Sequence, residues 1–306
     1  MRGTSRGLIT TIRKSTRTKT IVIVGGGSAG WLTAGIIAAR HNPLSDNDQG
    51  IKVILLESPD VANLGVGEGT WPTMRDTLRQ IGISEVEFLR ACDVSFKQGS
   101  QFINWQKGQG ESYYHPFVPP SGYGAINLAA HWLHHSPDKN FVDTVCPQGK
   151  ICDQGLAPKT AQTPEYAFGL NYGYHLNAGK FVELLQRHCV EKLGVEHKLG
   201  HVDQVLDAEN GDIASLSLTD GEKICADLFV DCTGFAALLI GKHYKVPFVS
   251  QRDCLFNDTA LAVQANHADE DTPIASCTKS TAQSSGWIWD IALPTRRGIG
   301  YVFSSQ

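Results

Sequence analysis

The sequence predicts an α/β protein built on a parallel sheet, and three observations carry that expectation. A short β-branched run, Ile21–Val24, ends in glycines and passes into Trp31–Arg40, an Ala/Ile/Leu-rich segment of helical length. The run Lys52–Glu57 (KVILLE) is continuously apolar, as a parallel strand is when both its faces are covered. A third apolar run, Leu228–Asp231, ends in Cys232-Thr233-Gly234, another strand closed by a glycine. The first two runs with the helix between them make a βαβ unit.

The remaining elements follow in order. Residues 73–90 read as helical, with Leu78, Ile81, Phe88 and Leu89 among charged positions and Ser84 as N-cap of a second piece. From about 106 to 175 the chain is rich in Gly, Pro, Tyr and His and lacks sustained periodicity, so a loop-heavy, β-rich insert with short strands is expected. Amphipathy returns over Ala178–Leu193 and stops at Gly194, a helix-ending residue. Val202–Leu206 and Ile213–Leu218 flank Asn210-Gly211, a hairpin signal. No internal repeat is present.

Composition narrows the function classes. With 306 residues, 42% hydrophobic and 19% charged, the chain has material for a large core and is not disordered. Its net charge of −4 is uneven: Arg2, Arg6, Arg13, Lys14, Arg17 and Lys19 give residues 1–19 a charge of +6, which leaves −10 for the rest. Residues 1–19 read as a basic flexible leader whose longest apolar run, Leu8-Ile9, is too short for a secretory signal. The acidic body argues against a nucleic-acid partner, and no run approaches the roughly 18 apolar residues of a membrane span. A cytoplasmic protein is expected. The eight cysteines include no C-x-x-C pair; Cys225 and Cys232 read as small buried residues. His131, His134 and His135 lack a carboxylate or Cys at ligand spacing, so no metal is expected.

Gly25-Gly26-Gly27-Ser28-Ala29-Gly30 matches G-x-G-x-x-G between a strand and a helix. In that context Gly25 makes the turn, Gly27 lets backbone approach a pyrophosphate, and Gly30 packs helix on strand. The N–H groups from Ser28 and Ala29 onward meet phosphate, and Glu57 at the end of the second strand accepts ribose hydroxyls. The same residues spell G-x-S-x-G, a hydrolase nucleophile elbow. That reading fails because only one strand can precede Ser28 and no triad partners are marked.

Val230-Asp231-Cys232-Thr233-Gly234 resembles the second flavin-contacting strand of hydroxylase-type flavoproteins, which favours FAD over NAD and implies their Rossmann-like FAD-binding fold. Further motifs resemble the flavin-dependent tryptophan halogenase family: Gly65-Val66-Gly67-Glu68-Gly69-Thr70-Trp71-Pro72, Ser95-Phe96-Lys97, Phe102-Ile103-Asn104-Trp105, Tyr114-His115-Pro116-Phe117 and Gly286-Trp287-Ile288-Trp289-Asp290-Ile291. The last is similar to the family's W-x-W-x-I-P signature, but Ala292-Leu293 precede Pro294, so the proline comes two residues late.

The resemblance implies a catalytic Lys97, a loop over Gly65–Gly69 (with Gly67 and Gly69) beside the flavin ring, and Val202, Asp231 and Gly234 on the cofactor. His115 and Phe117 would sandwich an aromatic substrate, tryptophan or an indole-like compound. Reduced FAD, supplied by a separate flavin reductase, oxygen and a halide ion would yield hypohalous acid that reaches Lys97. An ammonium in a partly dry site polarises that acid by hydrogen bonding, whereas a free amine forms a haloamine. A solvated surface lysine is the bland alternative, against which Phe96, Phe102 and Trp105 weigh.

The module is expected to span 20–306, with 106–175 and 235–306 on the substrate side; a homodimer is compatible with it. Members of the family are longer, so a helical C-terminal part carrying a partner glutamate is expected to be absent. An aromatic monooxygenase independent of halide and an inactive FAD-binding fragment are the alternatives.

Overall fold

The computed structural model describes residues 18–41, 50–61, 67–269 and 271–306. The leader to residue 17 and the Gly65-Val66 pair lie outside them. Thr20–Val24 is central in a four-stranded sheet, between Leu228–Asp231 and Lys52–Glu57, with Glu196–Leu199 beyond the latter; all pairings are parallel. Alternate side chains of the two central strands enter different clusters. Ile21, Ile23, Val53 and Leu55 pack with Trp31, Ala34, Phe181, Leu184 and Leu185 of the helices Ser28–His41 and Ala178–Leu193. Val22, Val24, Ile54 and Leu56 pack with Leu216, Leu218 and Ile224. Covering on both faces is why these strands are apolar throughout, each such side chain contributing about 1.5–3 kcal/mol.

The second cluster is closed by an antiparallel sheet of Val202–Asp207, Ile213–Leu218 and Lys223–Cys225. Its hairpin turns at Asn210-Gly211, where Gly211 has φ +84°, as the sequence predicts. Period-two alternation turns Ile224 inward and leaves Cys225 exposed, which corrects the expectation that Cys225 is a buried residue. Cys232 is partly covered.

The substrate-side region is built on a six-stranded sheet in the order Thr259–Ala265, Arg297–Phe303, Gly286–Ala292, Thr278–Gln283, Gly99–Ile103, Ser112–Pro116. The single parallel contact, between Thr278–Gln283 and Gly99–Ile103, joins distant parts of the chain. A smaller antiparallel sheet sets Gly173–Leu176 between Glu68–Gly69 and Ser95–Lys97. The stretch expected to hold short strands has Ser112–Pro116 and, at its end, the start of Gly173–Leu176, but between them lie three short helices, Leu128–His135, Phe141–Val145 and Gln148–Asp153. These are too short to show periodicity; the first is capped by Asn127, whose side chain accepts from the Ala130 N–H at 3.2 Å.

Helices Met74–Ile81 and Glu85–Ala91 form where expected, the second capped by Ser84. Glu85 is almost wholly buried. Its carboxylate accepts from Tyr172 Oη at 2.6 Å, Tyr174 Oη at 2.7 Å, the Tyr166 N–H at 2.6 Å and Lys159 Nζ at 2.6 Å. Burial pushes this acid up, and those four donors more than offset it, so it lies below the usual carboxylate range. The network ties the middle strand of the Lys97 sheet to the helix behind it.

Candidate functional site

The glycine turn closes because side chains are missing where backbone must pass. A Cβ on Gly25, which has φ +119°, would lie 2.3 Å from the Cys232 carbonyl oxygen, and one on Gly30 would lie 1.9 Å from that of Gly25. The turn opens into a cavity of about 370 Å³ lined by Gly25, Gly26, Gly27, Glu57, Val202 and Gly234 among others. Ser28, Ala29 and Gly30 form the first turn of the helix, whose free N–H groups and positive dipole end suit phosphate. Glu57 closes against Gly26, and its Oε2 is 2.8 Å from Nε2 of His197. The glycines, the carboxylate at the strand end and the helix N-terminus together fit a dinucleotide.

Asp231, expected on the cofactor, is not among the residues that line the cavity, and its carboxylate is engaged with protein. It accepts from Thr233 N–H and Oγ1 at 3.1 and 2.6 Å and from the Leu239 and Ile240 N–H groups at 2.8 and 3.0 Å. Burial pushes its carboxyl up, but these hydrogen bonds outweigh burial and hold it below the ordinary range. Its work is to fix the turn that presents Cys232–Gly234.

A second cleft, of about 440 Å³, contains Lys97 with Gly67, Glu68 and Gly69, the polar wall Ser100, Thr278 and Ser280, and the indoles Trp105, Trp287 and Trp289. Val61 lines the first cavity and Gly67 the second. Gly67 and Gly69, expected on the cofactor, lie in the lysine cleft. A Cβ on Gly69 would come within 3.0 Å of Lys97 Nζ, so glycine here leaves room for the amine.

Lys97 Nζ stands 5.6 Å from the ring centre of Phe117 and 5.9 Å from that of Trp71, and the two rings are 5.4 Å apart. Burial lowers the lysine's pKa, opposed by the nearby Cys277. Behind it His175 is fully buried: Nε2 is 2.8 Å from Thr278 Oγ1 and Nδ1 3.5 Å from Ser95 Oγ, which donates to the Ala292 carbonyl at 2.6 Å. Burial, then the charge of Lys97, push His175 down to about 3, so it is neutral near pH 7. His115 pairs across strands with Ser100 and therefore shares the cleft's sheet face, but it is exposed at the rim.

Trp71, Glu68 and the Trp105–Trp287–Trp289 wall were not assigned roles from sequence. Trp71 is 62% exposed, an accessibility unusual for an indole, and only the fold shows that its ring faces Lys97. Among the described residues no group of three or more His, Cys, Asp and Glu could hold a metal ion, and no helix is long and apolar enough to cross a membrane.

Fold and site together define a dinucleotide-binding α/β protein that carries a half-buried lysine in an aromatic cleft. The chain belongs to the tryptophan halogenase family, whose model matches residues 20–306. It is 35% identical to tryptophan 7-halogenase RebH of Lentzea aerocolonigenes, over 94% of this chain and 56% of that protein. Its fold is similar to the crystal structure of a tryptophan halogenase from Shewanella frigidimarina, with a TM-score of 0.89 and 52% identity, covering 94% of this chain and 56% of that one. A flavin-dependent halogenase from Xanthomonas campestris aligns with a TM-score of 0.82 and 34% identity over 94% of this chain and 56% of its own. The chain thus spans a little over half the length of the relatives it matches.

Proposed function

We propose that this chain provides the FAD-binding and lysine-bearing part of a halogenase acting on tryptophan or an indole-like ring. The observation that carries this reading is the ammonium of Lys97, held within about 6 Å of two aromatic faces in a cleft of a chain that also carries the dinucleotide cavity. FAD would lie along Gly25, Gly27, Ser28, Ala29 and Gly30, with Glu57 at its ribose and Val202 and Gly234 beside it. When bound and reduced by a separate flavin reductase, the flavin supplies the activation of oxygen that turns halide into hypohalous acid.

The chain's own residues then act in sequence. Lys97 hydrogen-bonds to the oxygen of hypohalous acid and gives it a proton as the O–X bond breaks, so that water leaves and the halogen is electrophilic. Trp71 and Phe117, with His115 at the rim, offer faces on which an aromatic ring can lie. The ring gains the halogen and loses a proton. Glu68, which lines the cleft and whose carboxyl burial pushes up, is a base positioned to take it. The indoles of Trp105, Trp287 and Trp289 keep bulk water from the oxidant.

The test supplies reductase, FAD, NADH and chloride or bromide, and scans an aromatic library by mass spectrometry. Halogenated product is expected from the native chain and at least 100-fold less from Lys97→Ala, in line with loss of a positioned catalytic proton donor, with FAD affinity unchanged. Turnover that ignores halide and Lys97 would instead identify a monooxygenase.

A further inference from the structure

We propose that His197 is the positioning residue that orients Glu57 for the ribose of the cofactor, and that Gln186 sets the imidazole tautomer in which it does so. The inference deepens the FAD reading above and rests on it. Glu57 ends the strand Lys52–Glu57 and lines the dinucleotide cavity, while His197 stands on the neighbouring parallel strand, opposite Leu55. Glu57 is two residues beyond Leu55, so both side chains leave the sheet on the face that carries the helices Ser28–His41 and Ala178–Leu193. There Nε2 of His197 meets Glu57 Oε2 at 2.8 Å. Both side chains are largely covered, at 16% and 19% exposure. His201 and His243 also meet carboxylates, but Asp60 and Asp207 are more than half exposed, where such a pair contributes little.

The hydrogen bonds fix where the imidazole proton sits. A carboxylate only accepts, so Nε2 is the donor to Glu57. Nδ1 faces the amide nitrogen of Gln186 at 3.2 Å and accepts from it. The relay runs from helix to strand to cofactor site: Gln186 donates to His197, and His197 donates to Glu57. In the opposite tautomer a bare nitrogen would face a carboxylate oxygen, and two protons would face each other at Gln186. The ring is held from a third side by Trp31, which is fully buried and meets it edge to face with centres 5.0 Å apart. Trp31 belongs to the helix whose N-terminus suits phosphate, so one imidazole is seated against both the ribose acid and the phosphate helix.

The contact divides the two oxygens of Glu57 between protein and ligand. Oε2 is engaged by His197, whereas Oε1 lies against the glycine turn, where a Cβ on Gly26 would fall 2.4 Å from it and 2.1 Å from Cδ. Gly26 lines the same cavity, so Oε1 is the oxygen presented to a ribose hydroxyl, which donates to it. A carboxylate tethered at one oxygen cannot turn freely about its last torsion. The hydroxyl therefore meets an acceptor already in place, and less freedom is lost when the cofactor binds. An outer partner that orients a ligand-binding side chain acts in this way at metal sites too.

The experiment measures FAD affinity of the flavin-free chain by isothermal titration calorimetry. His197→Leu is expected to bind FAD about tenfold more weakly, the scale of a lost hydrogen bond to a charged group. His197→Gln, whose amide can donate from the place of Nε2, is expected to recover most of that loss. In a Glu57→Ala background His197→Leu is expected to cost nothing further, because a residue acting through Glu57 has nothing left to orient. Native affinity in His197→Leu, or the same loss with and without Glu57, overturns the proposal and leaves the FAD reading standing. A native chain that takes up no FAD defeats the FAD reading and the proposal with it. Nitrogen-15 NMR of the native chain adds a readout that needs no variant to fold: the His197 proton is expected on Nε2, and a proton on Nδ1 overturns the proposal.

Discussion

Lys97 shows how a single side chain is tuned by competing effects. Burial disfavours its charge, whereas the faces of Trp71 and Phe117 favour it by about 0.5–1 kcal/mol each when partly exposed. Burial wins, because the pKa falls below the ordinary 10.5. Between the lowered value and the ordinary one, the unfolded chain holds a proton that the folded chain has released, so folding stability rises with pH across that window. The proposed reaction would need the ammonium, so its dependence on pH runs the other way. Product formation is expected to decline as pH rises through a value below 10.5, while denaturant midpoints of the native chain gain on those of Lys97→Met. A rate profile that stays flat, or climbs, through that range would assign the chemistry to the free amine.

Among the elements, the strand Gly173–Leu176 matters most to the site, since it pairs with both Ser95–Lys97 and Glu68–Gly69. Its Tyr174, and Tyr172 just before it, hang on the buried carboxylate of Glu85, which also holds Lys159 at 2.6 Å. Deleting one member of a buried ion pair strands the other charge and typically costs about 3–5 kcal/mol. Glu85→Ala is therefore expected to lose stability of that order in urea unfolding and to loosen Lys97; a loss under about 1 kcal/mol would show that the tyrosines and lysine find other partners. Ser84 was legible as a cap from sequence, but Glu85 read as one more charge in the first turn. Nothing in its local pattern announces four donors arriving from residues 159–174.

On the scale of the whole molecule, the described chain leaves Phe235, Phe248, Leu255, Phe256 and Leu261 in solvent. Leu261 sits on Thr259–Ala265, an edge strand of the six-stranded sheet. Exposed apolar surface of this kind binds hydrophobic dyes and favours association. The chain is expected to enhance the fluorescence of 1-anilinonaphthalene-8-sulfonate, and Phe248→Ser with Phe256→Ser to cut that signal by more than half. Equal signals from both would mean that these side chains are covered in solution.

The nucleotide half was readable because its determinants are local: glycines between a strand and a helix, continuous apolar strands, and a cap at Ser84 each act over a few residues. Lys97 was reachable through its motif for the same reason. The stretch 106–175 was misread in its secondary structure because its helices are shorter than the repeat that would betray them. Tertiary structure alone decided the rest. It turned Trp71 toward Lys97, and a parallel pairing set the cleft-wall residue Thr278 beside Ser100, far away in the chain. Separation along the chain carries no signal of such meetings; burial and backbone pairing create them.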